Sequence, residues 1–145
     1  MYKPLLAASC AALMLAACGD RTQAVVAAAS PQTPQPARNF MLFFPYDQAT
    51  LSPDNQVVVH EAIAAARARP DSKVTVVGHA DSSGNSAYNI ALSQRRAEAV
   101  REALISDGLN QATVAVTAKG ENQLMVSTRD GMREPKNRRV EIIVQ

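Results

Sequence analysis

The chain reads VTVVGHADSSGNSAYNIALSQRRAEAVREALISDG over residues 74–108, and this stretch decides the fold. Its first four residues are β-branched throughout, which predicts an interior strand at 74–77. A loop over 78–86 follows, and its Gly, Asn and Ser residues are typical of turns and helix caps. A long helix is then predicted over about 87–107, ended by Gly108 in the position that glycine prefers after a helix.

Further elements are predicted on both sides of this stretch. They are, in chain order, a buried strand at 40–44 that Pro45 ends, a helix at 53–69, and alternating strands at 113–117 and 139–145. Ser52-Pro53 supplies an N-cap and a proline at the first helical position. The polar connection at 119–137 has room for one short helix.

The order β-α-β-α-β-(α)-β predicts an α/β (α+β) sandwich. We expect a small mixed four-stranded sheet with the helices packed on one face. In the first helix, the expected apolar face consists of Val57, Ala64 and Ala65, joined by Val58 and Ala62.

The first 17 residues are typical of a secretory signal peptide. They combine a positively charged start, a short apolar run and small residues before Cys18. The run is shorter than the ~20 residues that a membrane-spanning helix needs. Leu-Ala-Ala-Cys at 15–18 resembles the lipobox of bacterial lipoproteins, which implies acylation of Cys18 and a lipid anchor. The resemblance also implies that Asp directly after the Cys signals retention at the inner membrane. Gly19 stands there, so the outer membrane is expected.

Residues 18–39 are predicted to be a disordered tether, because they are rich in Ala, Pro and Gln and cannot bury a core. The folded domain is then 40–145. Residues 39–145 hold 12 Lys or Arg and 12 Asp or Glu, so the domain lacks the basic excess expected of a nucleic-acid partner. Both cysteines, Cys10 and Cys18, precede the domain. No disulfide, cofactor or metal site is therefore expected in it.

Two charged residues of the central stretch, Asp81 and Arg96, are expected to need interaction partners. Asn89 and Arg96 are seven residues apart and share one face of the predicted helix, about 10 Å apart along its axis. Arg96 lies beside the apolar stripe, where an unpaired charge costs several kcal/mol. Asp81 follows a strand, at an end of the sheet where α/β folds often bind ligands. Spacing alone leaves two interpretations open: a plain Asp81–Arg96 ion pair, or a ligand site.

A hydrolase is a weaker interpretation. His79 and Asp81 lie near several serines, at positions 82, 83 and 86. The Gly-x-Ser-x-Gly motif of a nucleophile elbow is absent from the sequence, however. We therefore expect no catalysis.

The pattern Gly-His-Ala-Asp-x-x-Gly-x-x-x-x-Asn-x-x-Leu-Ser-x-x-Arg-Ala, at 78–97, closely resembles the signature of the OmpA-like peptidoglycan-binding domain. The resemblance extends over about 40–145 and includes Lys-Asn-Arg-Arg-Val-Glu-Ile at 136–142. Three positions depart from the family pattern. Ala80 replaces a usual threonine, Tyr46 a frequent phenylalanine, and Gln123 a common proline.

The resemblance implies non-covalent binding of the peptidoglycan stem peptide through meso-diaminopimelate. By position, Asp81 and Arg96 are the implied gripping pair, assisted by Asp47 and Asn89. Arg96 would bind the ligand carboxylate, and the two aspartates would accept hydrogen bonds from its ammonium group. The implied function is to tether the outer membrane to the cell wall, with the domain in the periplasm. The alternative is an accessory lipoprotein of an envelope complex that acts through protein partners.

Overall fold

A computed structural model describes residues 36–145. The predicted signal peptide, Cys18 and the tether up to residue 35 lie outside the described residues, so the lipid anchor stays a prediction. The main elements are β1 (Arg38–Phe43), α1 (Pro53–Arg67), β2 (Val74–His79), α2 (Ser86–Ser106), β3 (Val114–Gly120) and β4 (Arg139–Val144). Single 3-10 turns at Gln111–Thr113 and Pro135–Asn137 precede β3 and β4. β1 begins two residues before the predicted start of the domain.

The four strands form one mixed sheet in the order β1-β4-β2-β3. β2 and β3 are parallel, because α2 carries the chain back between them. β4 lies between β1 and β2 and is antiparallel to both. The predicted mixed four-stranded sheet is therefore confirmed, and β1 and β3 are its edges.

The core lies between one face of the sheet and the two helices. Side chains alternate along β4, so that Val140, Ile142 and Val144 are fully buried towards the helices. Val74 and Val76 of β2 join them, in register with Val144 and Ile142. Residues of both helices belong to the same core cluster, which confirms that the helices cover one face.

The apolar face predicted for α1 is partly wrong. Val57 is 57% exposed and Ala64 is also exposed. Ala62 and Ala65 are buried as predicted. The residues that face the core are Val59, Ala62, Ile63 and Ala66, which have the i, i+3, i+4, i+7 spacing of one helical face. Burying Ile63 removes more apolar surface from water than burying Ala64, and this fixes the rotation of the helix.

The predicted caps of α2 are confirmed. The Asn85 side chain accepts a hydrogen bond from the backbone of Tyr88 at 2.8 Å, and Gly108 follows the helix with a φ of +103°. Gly78 lets α2 approach β2, because a Cβ there would collide with the backbone carbonyl of Ser93. This contact brings the end of β2 close to the start of α2. Within residues 36–145, no helix combines the length and apolar character needed to span a bilayer.

Candidate functional site

The inner face of α2 carries a buried arginine at the end of the sheet where β2 stops. Arg96 is fully buried, as the helical spacing predicts. Its guanidinium donates to the backbone carbonyls of Gln48 at 2.7 Å, of Pro45 at 3.1 Å and of His79 at 3.1 Å. Arg96 thus uses three of its five N–H donors to join the turn after β1 to the end of β2.

Burial also changes the acidity of Arg96. Desolvation lowers its pKa to about 10, and the positive charge of Arg138 adds to the lowering. The nearby carboxylates of Asp81 and Asp47 act in the opposite direction. Arg96 therefore remains a cation at neutral pH, and two of the predicted site residues lie close enough to act on its charge.

Asp81 finds its cationic partner on a different element from the one expected. Asp81 is 3% exposed, and its carboxylate lies 3.1 Å from the guanidinium of Arg138. It also accepts hydrogen bonds from the Ser83 hydroxyl at 2.6 Å and the Glu134 backbone at 3.2 Å. The interpretation of a plain Asp81–Arg96 ion pair is therefore wrong.

These hydrogen bonds set the acidity of Asp81. Burial alone would raise its pKa, but the hydrogen bonds from Ser83, Arg138 and Glu134 outweigh burial and hold the pKa below its usual value. Asp81 is therefore ionised at neutral pH. We call Asp81, Arg96 and Arg138 the floor of the site.

Arg138 is the floor residue that the predicted set of site residues does not include. It lies in the Lys-Asn-Arg-Arg run at 136–139. The second arginine of this run, Arg139, has a different partner. Arg139 pairs with Glu141 at 2.7 Å, whereas Arg138 also donates to the carbonyl of Phe44 at 3.1 Å. Arg138 lies between the 3-10 turn at Pro135–Asn137 and the start of β4, so strand alternation does not set its direction, and no side-chain pattern marks it as the partner of Asp81.

Asp47 is the exposed member of the predicted set. It follows β1 in a turn and has a φ of +55°, a left-handed conformation that few residues other than glycine adopt. The phenol of Tyr88, at the start of α2, donates a hydrogen bond to Asp47, which raises the pKa of Tyr88. Beside it, the Arg133 guanidinium lies 3.8 Å from the ring centre of Tyr46. We call Tyr46, Asp47, Tyr88 and Arg133 the rim.

Asn89 hydrogen-bonds to residues beside the floor and not to the floor residues themselves. Its side-chain amide donates to the Glu121 carboxylate at 2.7 Å and to the Gly84 carbonyl at 3.3 Å. Asn89 is 2% exposed. It therefore holds the loop that carries Asp81 against the end of β3, and Glu121 is a partner that the sequence did not indicate.

The hydrogen bonds of the serines near His79 and Asp81 are not those of a catalytic triad. The Ser82 hydroxyl donates to the Arg129 carbonyl at 2.8 Å, and the Ser83 hydroxyl donates to Asp81. The ring nitrogens of His79 have no hydrogen-bond partner among residues 36–145, although Glu141 lies 3.6 Å away. In the same residues, no group of three His, Cys, Asp or Glu is arranged to hold a metal ion.

Comparison with known proteins places the chain in a family. The family model described as the OmpA family matches residues 43–138. The chain belongs to the OmpA family. An outer membrane protein A from Bordetella avium is 33% identical over 113 residues, covering 78% of this chain and 58% of that relative. A peptidoglycan-associated lipoprotein from Legionella pneumophila is 31% identical over 113 residues, covering 78% of the chain and 64% of the relative.

The fold is shared with a solved structure. The crystal structure of the peptidoglycan-associated lipoprotein from Burkholderia pseudomallei superimposes with a TM-score of 0.68 at 27% identity. The match covers 73% of this chain and 90% of that structure. The chain spans 31% to 64% of the length of several curated relatives, so their whole-protein activities are not carried over to it.

Proposed function

We propose that this OmpA-family chain binds peptidoglycan non-covalently, without catalysis, by recognising meso-diaminopimelate in the stem peptide. One observation carries the proposal. Asp47, Asp81 and Arg96 come from three separate segments and lie near one another at one end of the sheet, because Arg96 donates to backbone carbonyls within two residues of each aspartate. They do so in a family whose members include proteins named peptidoglycan-associated lipoprotein and peptidoglycan-binding protein.

The charges of the site suit this ligand. The free end of diaminopimelate carries an ammonium and a carboxylate on one carbon. Asp47 and Asp81 are acceptors for the ammonium, and Arg96 has two N–H groups beyond those bonded to backbone carbonyls. A lysine-type stem lacks the second carboxylate, so it would leave these two donors of Arg96 without an acceptor.

Binding at the floor requires internal hydrogen bonds to be exchanged, because Arg96 and Asp81 are both buried. Of the donors to Asp81, the Ser83 hydroxyl moves most easily, since it rotates about a single bond while Arg138 and the Glu134 backbone stay in place. We propose that the ligand ammonium replaces this hydroxyl. The ligand reaches Arg96 by an outward shift of the exposed 45–48 turn. Arg96 donates hydrogen bonds to the carbonyls at the two ends of this turn, those of Pro45 and Gln48.

The proposed setting is the bacterial envelope. Acylation of Cys18 would anchor the chain in the outer membrane, and two or three acyl chains hold a protein stably at a lipid surface. Residues 18–39 would then give the domain reach towards the wall, on the order of 25 Å as a flexible coil. Together, anchor and site would tether the membrane to the wall.

Asp47 offers a test that preserves the fold. Asn tolerates a positive φ, so Asp47→Asn removes the charge and keeps the turn. The full chain, solubilised in detergent, is sedimented with sacculi of the meso-diaminopimelate type. We expect Asp47→Asn to weaken binding roughly 5–10-fold, about 1 kcal/mol. Asp71→Asn, an exposed carboxylate in the α1–β2 turn, is the control and should bind as wild type.

Asp81→Asn tests the floor in the same assay. Losing a buried charge that contacts the ligand should cost roughly 2–5 kcal/mol of affinity. Circular dichroism and a urea midpoint establish that the variant remains folded. Equal pelleting of wild type, Asp47→Asn and Asp81→Asn would contradict the proposed site. Equal binding to lysine-type and diaminopimelate-type sacculi would contradict the proposed ligand.

A further inference from the structure

The segment from Val126 to Asn137 forms a loop fixed over the site. Its base is closed by the buried Asn137, whose side chain exchanges two 2.8 Å hydrogen bonds with the backbone of Val126. Its tip is pinned to the turn after β2, where the Gly131 amide donates to the Ser82 carbonyl at 2.6 Å. The Ser82 hydroxyl donates in turn to the Arg129 carbonyl at 2.8 Å. The loop is thus held without help from its exposed side chains.

Arg133 is one of those exposed side chains, and it lies at the mouth of the site. Its guanidinium stacks on Tyr46, which directly precedes Asp47. Within residues 36–145, Arg133 makes no hydrogen bond or ion pair, so the edge of its guanidinium remains available. Stacking on an exposed ring is worth ~0.5–1 kcal/mol, which favours one orientation of the planar fork of donors about 2–5-fold.

Within residues 36–145, no carboxylate lies within ion-pair distance of Arg133. Asp47 receives the phenol hydrogen bond of Tyr88, and the Glu134 carboxylate accepts from the backbone of Lys136. A planar guanidinium of this kind matches a carboxylate in a bidentate arrangement. The stem peptide offers such groups beyond diaminopimelate: the α-carboxylate of a γ-linked glutamate and the carboxylate of a terminal alanine.

We propose that Arg133, oriented by Tyr46, binds a second carboxylate of the stem peptide and so makes the site specific for a peptide rather than for the free amino acid. The inference rests on the proposed function, since diaminopimelate at the floor brings the rest of the peptide to the rim. Arg133 is a specificity-determining residue in this arrangement.

Calorimetry with the detergent-solubilised full chain tests the proposal. The probes are free meso-diaminopimelate and the pentapeptide Ala-γ-Glu-diaminopimelate-Ala-Ala. Two further pentapeptides are amidated, one on the glutamate α-carboxylate and one on the terminal carboxylate. Arg133→Gln should weaken pentapeptide binding about 5–10-fold and change free diaminopimelate binding less than 2-fold. One amidated pentapeptide should show the same loss with wild type and no further loss with Arg133→Gln, which identifies the carboxylate.

Two further variants test whether the effect depends on the position of Arg133 beside Tyr46. Arg129→Gln removes an exposed charge from the same loop and should bind every probe as wild type does. Tyr46→Leu removes the stack and should cause part of the Arg133→Gln loss. The proposal is overturned if Arg133→Gln binds the pentapeptide as tightly as wild type, or if Arg129→Gln shows an equal loss. A wild type that binds neither free diaminopimelate nor the pentapeptide overturns the proposed function itself.

Discussion

The floor and the rim of the site use their charges differently. Arg96 and Asp81 are almost completely buried, and each is bonded to several partners within the fold. Tyr46 and Tyr88 of the rim are 44% and 39% exposed. Changing a floor residue should therefore affect stability together with the proposed binding, whereas changing a rim residue should affect the proposed binding with little consequence for the fold. Substitutions in the two regions can show how far this separation holds.

The largest effect on stability is expected at Arg96. Arg96→Leu leaves three backbone carbonyls without their donor and should cost about 3–5 kcal/mol of unfolding free energy. Urea denaturation measures the loss. The neighbouring Arg95 is exposed, so Arg95→Leu should change stability by less than ~0.5 kcal/mol. Similar losses in the two variants would show that Arg96 does not hold the floor together.

A pH effect of nearly the same size is expected at His79, whose carbonyl accepts from Arg96. Burial, followed by the nearby Arg139, lowers the pKa of His79 from 6.5 to about 4, while Glu141 acts in the opposite direction. Between these values the unfolded chain binds more protons than the folded chain does. Stability should therefore fall as pH drops from 6.5 towards 4, by about 3 kcal/mol in total.

His79→Leu isolates this contribution. Urea midpoints measured at several pH values between 4 and 7 should show a smaller loss of stability on acidification in the variant than in wild type. If the urea midpoint changes equally with pH in the two proteins, the pKa of His79 is not lowered in the folded chain, and its surroundings tolerate the charged ring.

A smaller loss is expected at Arg138, at the outer side of the floor. Arg138→Gln removes the ion pair to Asp81 and the hydrogen bond to Phe44, and should cost about 2 kcal/mol. Lys136→Gln, two residues away and exposed, is the matched control and should be neutral. If Arg138→Gln is also neutral in urea denaturation, Arg138 belongs functionally to the rim.

The smallest effect, and one of opposite sign, is expected at Asp47. Glycine adopts the φ of +55° without strain, so Asp47→Gly should leave stability unchanged or raise it by up to ~1 kcal/mol. The same variant should lose affinity for sacculi, as Asp47→Asn does. A clear loss of stability would show that the Tyr88–Asp47 hydrogen bond supports the fold and that the rim is structural too.

Local patterns predicted most of the fold. The β-branched run of β2, the Asn85 cap and Gly108 each act within a few residues, so the sequence displays them directly. Propensity does not determine how a helix is rotated, and for α1 the large Ile63 decided which face was buried. The rotation of α2 was easier to predict, because the apolar Leu92 and Val100, four residues on either side of Arg96, mark its core-facing side.

The partners within the site depend on long-range geometry. Asp81 and Arg138 are 57 residues apart, and they meet only because β4 lies beside β2. The carbonyls of Pro45 and Gln48 are acceptors that every peptide unit offers, so no pattern of side chains marks them as partners of Arg96. The sequence therefore led to the prediction of Asp47, Asp81, Asn89 and Arg96 as site residues, but it did not show which residues they bond to.

The direction of β1 has a mechanical consequence. The strand begins at Arg38, where the chain enters the sheet, and ends just before the turn that carries Asp47. It is bonded to β4 along its whole length, from Arg38 opposite Val144 to Phe43 opposite Arg139. A pull between the N-terminal segment and a ligand at the far end would run along the strand, at right angles to these bonds. The hydrogen bonds between β1 and β4 would then be loaded in shear and all together, and they would not break one after another.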